Sequence, residues 1–233
     1  LQSQKMQPNV SNFKNAIDEL WPWLLQKWNP LNEKVSFGWG YLDNQSGGLQ
    51  GGDLISLVGR PQQGKTWFLL WIALHIWRTL KQPVVFVSME MSKEQILERL
   101  AAIYTEVGMD FFKFGQAPNL FMNAKKGTKQ QVKDMLKELK ADDELPDFIV
   151  VDGNVTSTVD DCVSVCRQYK AAACLIDGAY ALDNEKARDI YQAVTLNTKA
   201  LKRRLAAPLG IPVLCTWQFE NLKNLKKGEM PTM

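Results

Sequence analysis

Histidine is almost missing from this sequence, with His75 alone among 233 residues, and cysteine is sparse at four: Cys162, Cys166, Cys174 and Cys215. Cys162 and Cys166 stand four apart in a helical pattern, but no second close pair and no nearby histidine completes a tetrahedral zinc set. The four thiols therefore read as small buried hydrophobes of a reducing compartment, which excludes a disulfide scaffold. No apolar run is long enough to cross a membrane, because Arg78 and Lys81 interrupt the longest candidate, Trp67 to Leu80. A large excess of one charge is also lacking: 28 basic against 25 acidic residues leave a net charge of +3. That is too mild to argue for nucleic acid by itself, so such a case must come from local features. The first residues do not show the charged-then-apolar pattern of a secretory leader, and the sequence reads without an internal repeat or low-complexity tract. The opening Leu1-Gln2-Ser3-Gln4-Lys5, without an initiator Met, reads as the start of an excised fragment.

What is present is the composition of a globular protein, 45% hydrophobic and 23% charged, in a length that suits one large α/β domain with a short appendage. The appendage is expected over residues 1–34 and the main domain over 35–233. Phe13, Ile17, Leu20, Trp21, Leu24 and Trp28 form one helical stripe, with Pro22 as a break or restart and Asn29-Pro30 as its end. Tryptophans in so short an arm need a surface to cover them, either on the domain itself or on a neighbouring copy.

Short apolar strands then alternate with longer helical patterns. Strands are expected at Leu54–Val58, Val84–Ser88, Phe148–Val151, Cys174–Ile176 and Val213–Trp217, with helices at 65–80, 93–107, 129–140, 159–170 and 185–206. Strands of continuous Val, Ile, Leu and Phe belong to a sheet covered on both faces, and alternation with helices makes that sheet mostly parallel.

The strongest chemical signal is Gly59-Arg60-Pro61-Gln62-Gln63-Gly64-Lys65-Thr66, between the first strand and its helix, with Trp67 directly after it. Glycines at these positions let backbone N–H groups turn inward around phosphate oxygens, and the helix N-terminus adds its positive end. Lys65 is then expected on the β- and γ-phosphates of a nucleoside triphosphate and the Thr66 hydroxyl on Mg²⁺. Three further residues end strands that would open on the same edge. Asp177 follows Cys174-Leu175-Ile176, where a Mg²⁺-site carboxylate belongs, or else a turn residue. Glu90 follows the second strand, as a base for the attacking water or as a carboxylate capping the helix near Ser92. Gln218 ends the fifth strand, as a γ-phosphate sensor or an exposed loop amide. Beyond it Lys223, Lys226 and Lys227 are either a solvated face or a contact to nucleic-acid backbone.

With these blocks in order, the chain closely resembles the RecA-like ATPase domain of the DnaB-type replicative helicases over residues 36–233. The resemblance rests on Phe37-Gly38-Trp39-Gly40-Tyr41-Leu42-Asp43 with Gly47–Leu54, on Arg60-Pro61-Gln62-Gln63-Gly64-Lys65-Thr66, on Ser88-Met89-Glu90-Met91-Ser92-Lys93-Glu94-Gln95, on Leu175–Leu182, and on Leu209-Gly210-Ile211-Pro212-Val213 leading to Gln218. It implies Glu90 as the catalytic glutamate and Asp177 as the Mg²⁺ carboxylate, although the family's Asp-Tyr pair is here Asp177-Gly178. It also implies ATP as the nucleotide, with residues 59–67 binding it and Lys65, Glu90 and Gln218 serving hydrolysis. Single-stranded DNA would be the track, held in a hexameric ring of identical subunits in which the 13–28 arm packs on a neighbour. A primase or loader is the further partner. The place of action would be the cytoplasm of a bacterium or a phage-infected host. The chain stops at Met233, about where the family's last motif begins, so its DNA-binding loop and arginine finger are expected beyond that point. Two rivals share the loop: a RecA-like recombination or DNA-remodelling ATPase, and a nucleotide-switched accessory or loader protein without unwinding activity.

Overall fold

The computed structural model describes residues 20–22, 24, 25, 35–115 and 129–218. The chain divides into two units, Leu1–Lys34 and Val35–Met233. In the first, Leu20, Trp21, Pro22, Leu24 and Leu25 are helical. Pro22 itself lies in helical backbone, with which its fixed φ is compatible. The rest of the 13–28 stripe lies outside the described residues.

In the second unit five strands, β1 (Leu54–Gly59), β2 (Val84–Ser88), β3 (Phe148–Asp152), β4 (Ala173–Asp177) and β5 (Val213–Gln218), form one sheet in the order β1-β5-β4-β2-β3. All four pairings are parallel. Such a sheet needs helices on both faces, because each crossover must return the chain to the same edge. Alternate residues of one strand accordingly enter different cores. Val84 and Phe86 of β2 pack with Leu69, Leu70, Ile72, Ala73 and Ile76 of the Lys65–Leu80 helix. Val85 and Val87 pack on the opposite side with Cys162 and Cys166 of the Val159–Gln168 helix and with Leu201 and Leu205. The central strands β2 and β4 are buried throughout, as their unbroken apolar sequence requires. All four cysteines are buried and unpaired.

The expected strands and helices are present with ends moved by a few residues, and two short helices, Gly40–Ser46 and Met109–Phe114, were not foreseen. The largest shift is at the expected helix 185–206. It starts at Ile190, because the Asp189 side chain accepts from the Gln192 N–H and fixes the N-terminus there. It runs as α-helix to Ala200, as π-helix over Leu201–Ala206 and as a last turn over Ala207–Leu209. Among the described residues no helix is long and apolar enough to cross a membrane.

Candidate nucleotide site

Strand register brings the singled-out residues to one edge. Gly59 is paired with Gln218 at the ends of β1 and β5, and Ser88 with Asp177 at the ends of β2 and β4. Four chain segments far apart in sequence therefore leave the carboxyl edge of the sheet side by side. Ligands of open parallel sheets bind at this edge.

The loop 59–66 turns through left-handed backbone at Gln62 (φ 62°) and Gly64 (φ 79°) and hands over directly to the Lys65–Leu80 helix. That helix starts differently from the longer helices that follow β2, β3 and β4. The helices at Lys93, Val159 and Ile190 are each closed by a side chain, from Ser92, Thr158 and Asp189. The helix at Lys65 has no side-chain cap and no acidic residue in its first turn. Uncapped N–H groups with the positive end of the helix dipole form an anion site. Side chains of the loop occupy the cradle: Gln63 Oε1 accepts from the Arg60 N–H at 2.8 Å, and Lys65 Nζ donates to the carbonyls of Gly59 (3.1 Å) and Arg60 (2.8 Å). Pro61 lies at the exposed crest of the loop. Trp67, one residue past the loop, carries the Arg99 guanidinium 5.1 Å above its ring.

Asp177 is 1% exposed and tied on both oxygens. Thr66 Oγ1 donates to its Oδ2 at 2.8 Å, and Thr216 Oγ1 to its Oδ1 at 2.7 Å. Burial pushes this carboxyl above the usual aspartate range, against the two hydroxyl hydrogen bonds that favour the charged form. Asp177 is thus buried and hydrogen-bonded, unlike a solvated turn residue. Thr66 and Asp177 offer oxygen donors only, and among the described residues no group of three His, Cys, Asp or Glu could hold a metal. An oxygen pair of this kind fits Mg²⁺, which keeps much of its shell as water and phosphate rather than taking an all-protein cage.

Glu90 does not cap the following helix. Ser92 and Gln95 form the capping box there, with Gln95 N–H donating to Ser92 Oγ and Ser92 N–H to Gln95 Oε1. Glu90 Oε1 instead accepts from Gln218 Nε2 at 2.9 Å and from the Tyr180 hydroxyl. Gln218 is thus part of the cluster rather than a loop amide. Arg99 feels both Asp177 and Glu90, but its dominant influence is burial, which lowers its pKa from the ordinary arginine value.

Of the residues expected in the site, Gly59 through Trp67, Glu90, Asp177 and Gln218 are gathered at this edge. Lys223, Lys226 and Lys227 lie outside the described residues. Thr216, Tyr180 and Arg99 were not foreseen as members. A buried threonine within an otherwise apolar strand was a readable signal for the first, whereas the other two depend on contacts between segments distant in sequence.

The model of the DnaB-like helicase C-terminal domain matches residues 35–233. The chain belongs to this family. Among curated members, the replicative DNA helicase DnaB of Nostoc sp. (strain PCC 7120) is 28% identical over 197 residues, covering 82% of this chain and 21% of that protein. The probable replicative DNA helicase of Trieres chinensis is 46% identical over 100 residues, 43% of this chain and 21% of that protein. The chain thus spans about a fifth of the length of these DnaB-like relatives. In fold it matches the ATPase domain of G40P with a TM-score of 0.71 at 19% identity, covering 91% of this chain and 73% of that one. A DnaB-like replicative helicase solved for its interactions with primase gives the same TM-score at 18% identity, covering 93% of this chain and 50% of that one.

Proposed function

We propose that this chain is the ATP-hydrolysing motor of a DnaB-like replicative helicase. The observation that carries the proposal is the single hydrogen-bonded edge on which an uncapped phosphate loop, the Thr66–Asp177 pair and the Gln218–Glu90 pair meet. The phosphates of ATP displace the Lys65 ammonium from the carbonyls of Gly59 and Arg60, and Lys65 moves onto the β- and γ-phosphates while the N–H groups of residues 62–66 take the remaining oxygens. Thr66 and Asp177 hold Mg²⁺, which when bound offsets the charge developing on the phosphate oxygens. Glu90 accepts a proton from the water that attacks the γ-phosphorus, and Gln218 reports loss of the phosphate to the segment after β5.

The relatives are replicative DNA helicases, and one structural neighbour was solved for its interactions with primase. On that likeness the chain assembles as a hexameric ring on single-stranded DNA in the cytoplasm, with residues 1–34 as a linker packing on the next subunit. A primase or loader docks elsewhere on the ring, and Lys223, Lys226 and Lys227 face the DNA backbone. Steady-state ATPase with single-stranded DNA tests the core of this. Glu90→Gln is expected to lose roughly 10²-fold or more in kcat while still binding ATP. Wild-type turnover in that variant would remove Glu90 as the base. Electron microscopy with ATP and DNA tests the assembly: open filaments in place of closed rings would favour a recombination-type ATPase.

A further inference from the structure

Glu90 is held by one oxygen only. Tyr180 and Gln218 both donate to Oε1, and among the described residues no hydrogen bond reaches Oε2. Gln218 has a second task in the proposed cycle, because an amide that senses the γ-phosphate must turn towards it. The phenol has no such conflict. It sits in the turn Ala179–Ala181, which begins where the Gly178 N–H donates to Thr216 Oγ1 at 2.7 Å and closes with the Ala181 N–H on the Gly178 carbonyl at 2.9 Å. The Tyr180 ring packs against the core beneath the sheet. Gly178 makes room for this arrangement: at φ 82° it adopts backbone that favours glycine, and a Cβ there would stand 2.9 Å from Glu90 Cγ.

We propose that Tyr180 is the positioning residue that keeps Glu90 in place when Gln218 turns to the nucleotide, leaving Oε2 free to accept from the attacking water. The inference rests on the reading of Glu90 as the base. A carboxylate fixed through one oxygen keeps a single orientation, and misplacement of a catalytic group by about 1 Å can cost 10²-fold in rate. Burial and the Glu90 hydrogen bond raise the phenol pKa above its ordinary value, so Tyr180 remains a donor over the working pH range.

The test is a double-mutant cycle on the full chain with single-stranded DNA present, following kcat, KM and the Kd of a fluorescent ATP analogue. Phe at position 180 retains the packed ring and removes only the donor. Tyr180→Phe is expected to lower kcat about tenfold, with KM and Kd within about twofold of wild type. In the Glu90→Gln background the same substitution is expected to cause no further loss, because the base it positions is gone. Three results would each overturn the positioning role: wild-type kcat in Tyr180→Phe, a weakening of nucleotide binding as large as the loss in rate, or an undiminished tenfold loss in the Glu90→Gln background. Wild-type kcat in Glu90→Gln alone would instead defeat the assignment of the base, and the two failures are thereby distinguishable.

Discussion

The Thr216 hydroxyl donates to Asp177 Oδ1 at 2.7 Å and accepts from the Gly178 N–H at 2.7 Å. One hydroxyl on β5 therefore satisfies a nearly buried carboxylate and the first N–H of the turn that presents Tyr180. Replacing Thr216 with Val retains the shape and removes the partner of Asp177 Oδ1 and of the Gly178 N–H, while Thr66 still donates to Asp177 Oδ2. The expected cost is roughly 2–3 kcal/mol of folding stability, the usual penalty for stranding buried polar groups. Urea unfolding of Thr216→Val against wild type measures it, and a loss below about 0.5 kcal/mol would contradict the account.

Among the described residues, Lys65 Nζ donates only to the carbonyls of Gly59 and Arg60. Lys65→Ala is therefore expected to leave thermal stability within about 0.5 kcal/mol of wild type, as for most surface substitutions. Its ATP affinity is expected to fall by about tenfold or more, because a charge-assisted contact to phosphate is lost. Calorimetric scanning and titration with a fluorescent nucleotide separate the two effects.

Gly178 combines a φ of 82° with a close approach to Glu90. Gly178→Ala is expected to cost about 1–2 kcal/mol through the left-handed backbone. It is also expected to lower kcat more than it weakens ATP binding, because the added methyl pushes Glu90 Cγ rather than the phosphate loop. Equal changes in kcat and nucleotide Kd would contradict this.

Asp161 Oδ2 accepts from the N–H groups of Ser157 and Thr158 and from the Thr158 hydroxyl, and the Thr158 hydrogen bonds hold its carboxyl below the ordinary aspartate value. A depressed folded-state pKa stabilises the protein above the unfolded value, and the contribution disappears as pH falls through the folded one. Asp161→Asn is thus expected to be modestly less stable than wild type near neutrality, by less than about 1 kcal/mol, because the charge is screened by solvent and the Asn oxygen can still accept. The gap should close as pH drops below the ordinary aspartate range, as read from urea midpoints. A gap independent of pH would assign the effect to shape rather than charge.

The loop 59–66 was legible because its chemistry is local: Gly64, Lys65 and Thr66 act through backbone and side chains within one turn. The parallel sheet was legible from the unbroken apolar runs of β2 and β4, since only a strand covered on both faces lacks polar alternation. The roles of Glu90 and Gln218 stayed open between bland and catalytic readings, because position along a strand does not reveal a hydrogen-bond partner 128 residues away.

Sequence by itself determined the phosphate loop, the α/β architecture and the carboxyl edge on which the candidate residues end, all of which follow from local backbone preference and hydrophobic period. Only the tertiary structure decided that Glu90 is engaged by Tyr180 and Gln218 instead of capping a helix, and that Asp177 is joined to Thr66 and Thr216. Those contacts depend on the register between β1, β5, β4 and β2. Register is set by packing across the whole sheet, so no local stretch of the sequence encodes it.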